Sequence, residues 1–406
     1  MSSAQKREDF LHVPYGLTVH GEAEEKAVMA VLRSSTQMGR HVREMEAKVA
    51  ALFAKRHGVM VNSGTSALFI AAEILELPAG SEVITPALTF ATTVSCLVKN
   101  GLVPSFVDCE GDTFCVDASQ VEAAITPNTR ALCVPNLLGN LPDWPALAAI
   151  AKKHNLKIIE DSADTLGGTL QGNSSGAWSD ISITSFYGSH VINCAGNGGM
   201  LCVNDEEQLR RAKLLRSWGR SSSLYVESEA VENRFDIDID GIPYDKKFVF
   251  EALGYNLEPS EMGAAFGLVQ LSRLDANIDA REINFKTQYD FFQRYAQFFH
   301  LPRQRPESRT GWLAFPLVVR ADAPFTRRDM QVFLERRNIQ TRVIFTGNIL
   351  RQPGFKHIAC RGKADDFSQA DAVMRGGILL ACHHGLTPAM FAHVHESVAL
   401  FLKPYA

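Results

Sequence analysis

From about residue 45 the chain alternates short apolar runs with stretches whose apolar residues recur at helical spacing. The runs at 59–62, 82–85, 103–108, 129–135 and 157–161 read as strands, the stretches at 44–56 and 65–75 as helices, and a helix pattern separates each later run from the next. A strand that is apolar on both faces needs cover on both, and a helical crossover returns the chain parallel to itself. The alternation therefore predicts an α/β fold with a mostly parallel sheet between two helical layers.

The rhythm breaks at 221–253, a polar, acidic stretch with little periodicity that reads as a long excursion. A strong helix pattern at 260–274 follows. Beyond it, TGWLAFPLVVR from Thr310 and NIQTRVIF from Asn338 read as strands around a helix at 327–337. This predicts an N-terminal arm and large domain over 1–274 and a smaller C-terminal α/β domain over 275–406.

Composition narrows the partners. The chain is 46% apolar, with a net charge of −4 and no strongly basic segment, which argues against nucleic acid. The first residues are charged where a secretion signal is apolar, and no apolar run is long enough to span a bilayer. The eight cysteines are scattered with no CxxC pair, so a reducing cytoplasm is the expected home and no metal site is expected.

Four polar stretches punctuate the apolar ones. Asn62-Ser-Gly64-Thr65-Ser-Ala67 sits between a strand and a helix, where a glycine lets backbone approach an anion and free N–H groups can hold a phosphate. Taken alone, it is better explained as a helix cap. Glu160-Asp161-Ser-Ala-Asp164 closes a strand, and the carboxyl end of a parallel strand faces the crevice where α/β proteins bind ligands. A carboxylate there could keep a pyridine nitrogen protonated; a cap or a metal site fits equally. Ser185-Phe-Tyr-Gly-Ser-His190 carries a histidine of the kind that is usually structural, and Gly254-Tyr-Asn256-Leu-Glu-Pro-Ser-Glu261 opens a helix.

Together and in this order, the four stretches resemble the DegT/DnrJ/EryC1/StrS group of sugar aminotransferases and dehydratases, from about Gly21 to the C-terminus. The resemblance implies a fold-type-I transferase dependent on pyridoxal 5'-phosphate (PLP), with the aspartate aminotransferase architecture. It also implies roles. Asp161 would pair with the pyridine nitrogen and Phe90 stack on the ring. Gly64, Thr65 and Ser185 would cradle the phosphate, and Asp164 would touch the ring hydroxyl. Asn256 would reach the phosphate in a neighbouring subunit, making the sites a shared property of a homodimer.

The family's aminotransferases end the third stretch in the lysine that bonds the cofactor. Here that position holds His190, and no lysine occurs between Lys157 and Lys213. A histidine cannot make that bond but is suited to moving protons. The replacement marks a subgroup, the nucleotide-linked 4-keto-6-deoxyhexose 3-dehydratases. Leu138-Gly-Asn140, DGIPYD from Asp240 and TRVIFTGNILRQP from Thr341 are similar to its segments, which implies that Asn348 and Arg351 lie near the nucleotide-sugar.

Iron–sulfur members of the subgroup place cysteines after an RxWGR segment. Here Arg216-Ser-Trp-Gly-Arg220 is followed by Ser221-Ser-Ser-Leu224, which implies no cluster and no partner reductase. The resemblance then points to a GDP-linked 4-keto-6-deoxy-D-mannose, glutamate as amino donor, and PLP cycling with pyridoxamine phosphate (PMP), in deoxysugar or O-antigen synthesis. The competing readings are a 4-aminotransferase that has recruited Lys213 and a non-catalytic sensor of PLP or nucleotide-sugar. His383 and His384 are expected to serve packing or surface roles.

Overall fold

The computed structural model describes residues 7–225 and 231–405. Seven strands form the main sheet, in spatial order His57–Val61, Gly199–Val203, Ile181–Ser185, Lys157–Ser162, Thr129–Pro135, Glu82–Pro86 and Val103–Val107. Only Gly199–Val203 runs antiparallel to its neighbours; the remaining pairs are parallel, as the alternation predicts. Successive side chains along a strand point to opposite faces. Val83, Cys133 and Ile159 accordingly join one apolar core, while Ile84, Leu132 and Ile158 join another. Burial on both faces is why the strands read as continuous apolar runs.

A second, three-stranded antiparallel sheet is formed by Phe299–His300, Ala314–Val319 and Gly377–Ala381. The strand expected at 338–345 is absent. That segment makes only isolated bridges, Val13 to Ile339 and Arg342 to Leu379, and is closed off at both ends by left-handed φ values at Asn338 (61°) and Phe345 (41°). The strand that pairs with Ala314–Val319 is instead Gly377–Ala381. A long helix, Leu274–Phe292, begins where the sequence places the division between domains. Val13, from the N-terminal arm, is buried in the same core as the second sheet.

The helix expected at 44–56 runs from Arg40 to Leu52. Its start is fixed from far along the chain: the buried Glu261 carboxylate accepts hydrogen bonds from the backbone of Gly39 (2.7 Å), His41 (2.8 Å) and Val42 (3.3 Å). These N–H groups have no partner within their own helix. In the excursion, Asp238–Ile239 pairs with Ile242–Pro243 across a turn in which Asp240 and Gly241 have φ of 53° and 85°; its residues 226–230 lie outside the described part. Among the described residues no helix is long and apolar enough to cross a membrane.

Candidate active site

At the carboxyl ends of the parallel strands lies a cavity of about 320 Å³. Its lining brings together Gly64, Thr65, Phe90, Asp161, Asp164, Ser185 and His190, residues drawn from all but one of the four polar stretches and from the loop before a further helix. Gly64 begins the helix Gly64–Glu73, whose cap is Ser63; the Ser63 hydroxyl accepts from Ser66 N at 3.1 Å. A Cβ on Gly64 would stand 2.7 Å from that of Ser185, so only glycine lets these two loops meet. The result is a helix N-terminus with a serine hydroxyl beside it, a ready anion cradle.

The acidic stretch divides between the faces of the sheet. Glu160 points away from the cavity into a buried network with Asn136, Ser162 and Ser182. Asp161 points into the cavity and accepts hydrogen bonds from the Thr93 hydroxyl at 2.7 Å and from Ala163 N at 3.2 Å. Burial raises its pKa, and these two donors oppose the rise. Asp164 accepts from Leu138 N at 2.9 Å, and burial pushes its pKa up to about 7.

The histidine's tautomer follows from its neighbours. His190 Nδ1 lies 3.0 Å from the carbonyl oxygen of Ser185, which can only accept, so Nδ1 carries the hydrogen and Nε2 bears the lone pair. Nε2 faces Asp164 Oδ1 at 3.8 Å, beyond hydrogen-bond length. Burial holds the ring's pKa down at about 4, with the Arg281 guanidinium pressing the same way and the Ser185 carbonyl opposing. With Asp164 shifted up and His190 down, the two meet at neutral pH as a base and a half-protonated acid, with no ion pair between them.

Arg281, fully buried, holds this loop from behind. Its guanidinium donates to the carbonyls of Ser189 (3.3 Å), His190 (3.1 Å) and Trp312 (2.9 Å), and to His384 Nδ1 at 3.4 Å. His383 is buried and bonds to the Pro14 carbonyl at 3.1 Å, so both histidines of that pair pack behind the cavity.

Three expected site residues lie outside this cavity, one of them, Asn256, expected to serve a neighbouring subunit's. Asn256 is exposed on the strip that pairs with Ser217, outside this cavity. Asn348 is buried and its amide is spent internally, on Ala364 O (2.8 Å), Asp371 (2.9 Å) and Leu350 N (3.2 Å). Arg351 is tied to the same Asp371 and to Asp365. Within this chain, the two build a turn instead of offering free groups to a ligand. Lys213, on the helix Glu206–Arg216, is also outside the lining. Tyr15, Thr93, Leu313 and Phe345 do line the cavity and were not legible as site residues. Phe345 meets Phe90 edge-on at 5.7 Å, a contact between segments far apart in sequence that only the tertiary fold creates.

A mostly parallel sheet with a helix N-terminus, a buried carboxylate and a facing aromatic at its carboxyl edge fits the aminotransferase fold, which the solved structures that superpose on it share. The chain belongs to the DegT/DnrJ/EryC1/StrS aminotransferase family, whose profile it matches over residues 19–399. It is 35% identical over 402 residues to a dTDP-4-dehydro-2,6-dideoxy-D-glucose 3-dehydratase of Saccharopolyspora spinosa, covering 96% of this chain and 86% of the relative. It is 30% identical to a GDP-perosamine synthase of Caulobacter vibrioides, covering 87% and 88%. A GDP-4-keto-6-deoxymannose-3-dehydratase solved with a trapped PLP-glutamate geminal diamine superposes with a TM-score of 0.85 at 25% identity, over 95% of this chain and 100% of that one.

Proposed function

We propose that the chain is a PLP-dependent nucleotide-sugar 3-dehydratase, which removes the C3 hydroxyl of a nucleotide-linked 4-keto-6-deoxyhexose with glutamate as amino donor. The observation that carries this reading is His190: a neutral base in the cavity, at the position where the sequence leads one to expect a lysine. No lysine lines the cavity among the described residues, so transamination lacks its usual base.

The residues present fit the cofactor. The backbone N–H groups at Gly64 and Thr65 and the Ser185 hydroxyl suit its phosphate, Asp161 its pyridine nitrogen, and Phe90 the face of its ring. Bound there, PLP supplies an electron sink next to the substrate carbon. The Thr93 hydroxyl, donating to Asp161, favours the charged form that a cationic ring nitrogen requires, against the pull of burial. His190 Nε2, unprotonated well below neutral pH, can take a proton from carbon and deliver it to the departing oxygen. The Ser185 carbonyl fixes the imidazole during both transfers.

We read the working form as a homodimer without an iron–sulfur cluster or reductase partner. Apolar side chains crowd the surface around Asn256, with Phe250 58%, Leu253 96% and Tyr255 46% exposed, a pattern typical of a surface awaiting a partner. Iron analysis of the purified protein should find none, and Leu253→Asp should shift its mass in light scattering from dimer to monomer.

The two relatives and the solved structure differ in nucleotide, so the deciding experiment offers all the candidates. Protein supplied with PLP and glutamate is given GDP-, CDP- and dTDP-linked 4-keto-6-deoxyhexoses, and the products are weighed by mass spectrometry. The expected product is a nucleotide-sugar lighter by one oxygen, with ammonia and 2-oxoglutarate released. A 4-amino sugar would replace this reading with transamination, and no conversion of any of the three would sink it.

A further inference from the structure

We infer that Tyr15, on the N-terminal arm, contacts the sugar half of the substrate, its phenol donating a hydrogen bond to a sugar oxygen. The inference rests on the 3-dehydratase reading above. Tyr15 lines the cavity together with Asp164, His190, Leu313 and Phe345. Among the described residues no protein group accepts a hydrogen bond from its hydroxyl. A phenol inside a protein ordinarily finds a polar partner, so one that reaches a cavity unpaired is placed to bond what enters.

The arm is held rigidly enough for such a role. Tyr15 N donates to Gln340 Oε1 at 3.0 Å, the Pro14 carbonyl meets His383 Nε2 at 3.1 Å, and Val13 bridges to Ile339. On the other side, Thr18 donates to the Gly188 carbonyl at 2.8 Å. Gly16 sits so close to Ser189 that a Cβ would stand 2.6 Å from the serine's own. The arm thus straps the His190 loop to segments flanking the second sheet, with Tyr15 at the middle of the strap.

The balance of groups facing the phenol favours its protonated, donating form. Burial raises its pKa above the ordinary tyrosine value and Asp164 adds to the rise, while Arg342, over the ring at 5.4 Å, and Arg281 oppose without reversing it; Cys382 adds a little more. The groups fitted to the cofactor, Asp161, Ser185 and the Gly64 helix end, come from the large sheet and its helices. Tyr15 comes instead from the arm, tied to segments flanking the second sheet, which leaves the sugar as the partner it can address.

The test compares Tyr15→Phe with the wild type in three ways. Glutamate-driven conversion of bound PLP to PMP, followed by absorbance, should proceed at the wild-type rate. Calorimetric binding of the nucleoside diphosphate alone should be unchanged. Binding of the nucleotide-linked hexose, and kcat/KM for it, should fall about tenfold, the loss of one hydrogen bond. Equal sugar binding by the two proteins overturns the assignment, and so does an equal loss in the glutamate step, which marks Tyr15 as merely structural. A wild type that binds no nucleotide-sugar would remove the functional reading itself, an outcome distinct from either.

Discussion

At the scale of the residue, the chemistry turns on which form each group holds at neutral pH. His190 stays neutral because burial and Arg281 make its charged form costly, outweighing the Ser185 carbonyl that accepts from Nδ1–H. His190→Asn should therefore retain PLP, seen in its absorbance, and lose at least ~100-fold in dehydration; retained turnover would remove the histidine from the reaction. His190→Lys should give a borohydride-trappable bond to PLP, detectable as added mass, and its absence would mean that position 190 does not face the cofactor. The sequence displayed His190 through a substitution within a motif. It could not display Thr93, whose hydroxyl matters only because folding brings it 2.7 Å from Asp161. Thr93→Val should weaken PLP binding, since Asp161 loses the donor that favours its charged form; one hydrogen bond to a charged group is worth ~1.5–3 kcal/mol.

At the scale of the element, the buried strands announced themselves because apolar runs flanked by helices have few other uses. Helix ends were harder to see. The start of Arg40–Leu52 depends on Glu261, a residue visible in the fourth polar stretch whose purpose was not. Its carboxylate also takes a bond from His41 Nδ1 at 2.8 Å and so serves helix packing instead of substrate. Glu261→Ala should cost roughly 3 kcal/mol in urea unfolding while sparing the groups in the cavity; a loss near zero would mean the helix start is satisfied in another way. The segment 338–345 misled in the opposite direction: its apolar residues suggest a strand, but left-handed residues close it at both ends and it bridges its neighbours only at Ile339 and Arg342. Sequence periodicity carries no record of φ.

At the scale of the whole molecule, four histidines at two places in the fold are held neutral by the same cause. Burial is the largest cause in each, and it holds His190, His383 and His395 at about 4 and His384 at about 3. Unfolded, each would take a proton near pH ~6.5. Between those values the unfolded chain binds more protons than the folded one, so stability falls as pH falls through the window from about 6.5 to about 4. Asp164 runs the other way: raised to about 7, it keeps a proton that the unfolded chain would release, and stability gains as pH drops below 7. Asp161, also raised by burial, acts with it, so four groups oppose two; urea midpoints should decline across the window, and His395→Gln should make the decline shallower. A flat or rising midpoint would contradict this balance. The succession of strands along the chain and a crevice at their carboxyl ends were legible from local pattern, whereas the strands' spatial order and the arm's contacts with the His190 loop and with residues 339–340 were not. No apolar rhythm marks a strap held by single bridges and glycine contacts.

That strap also constrains how the sequence can drift. Gly16 and Ser189 occupy space that admits one Cβ between them. A side chain gained at position 16 would displace the loop that carries His190 unless position 189 gave one up. Each site is then the other's permissive background: in a diverging lineage, or in a library screened for altered sugars, the two should change together or hardly at all, however far apart they stand along the chain.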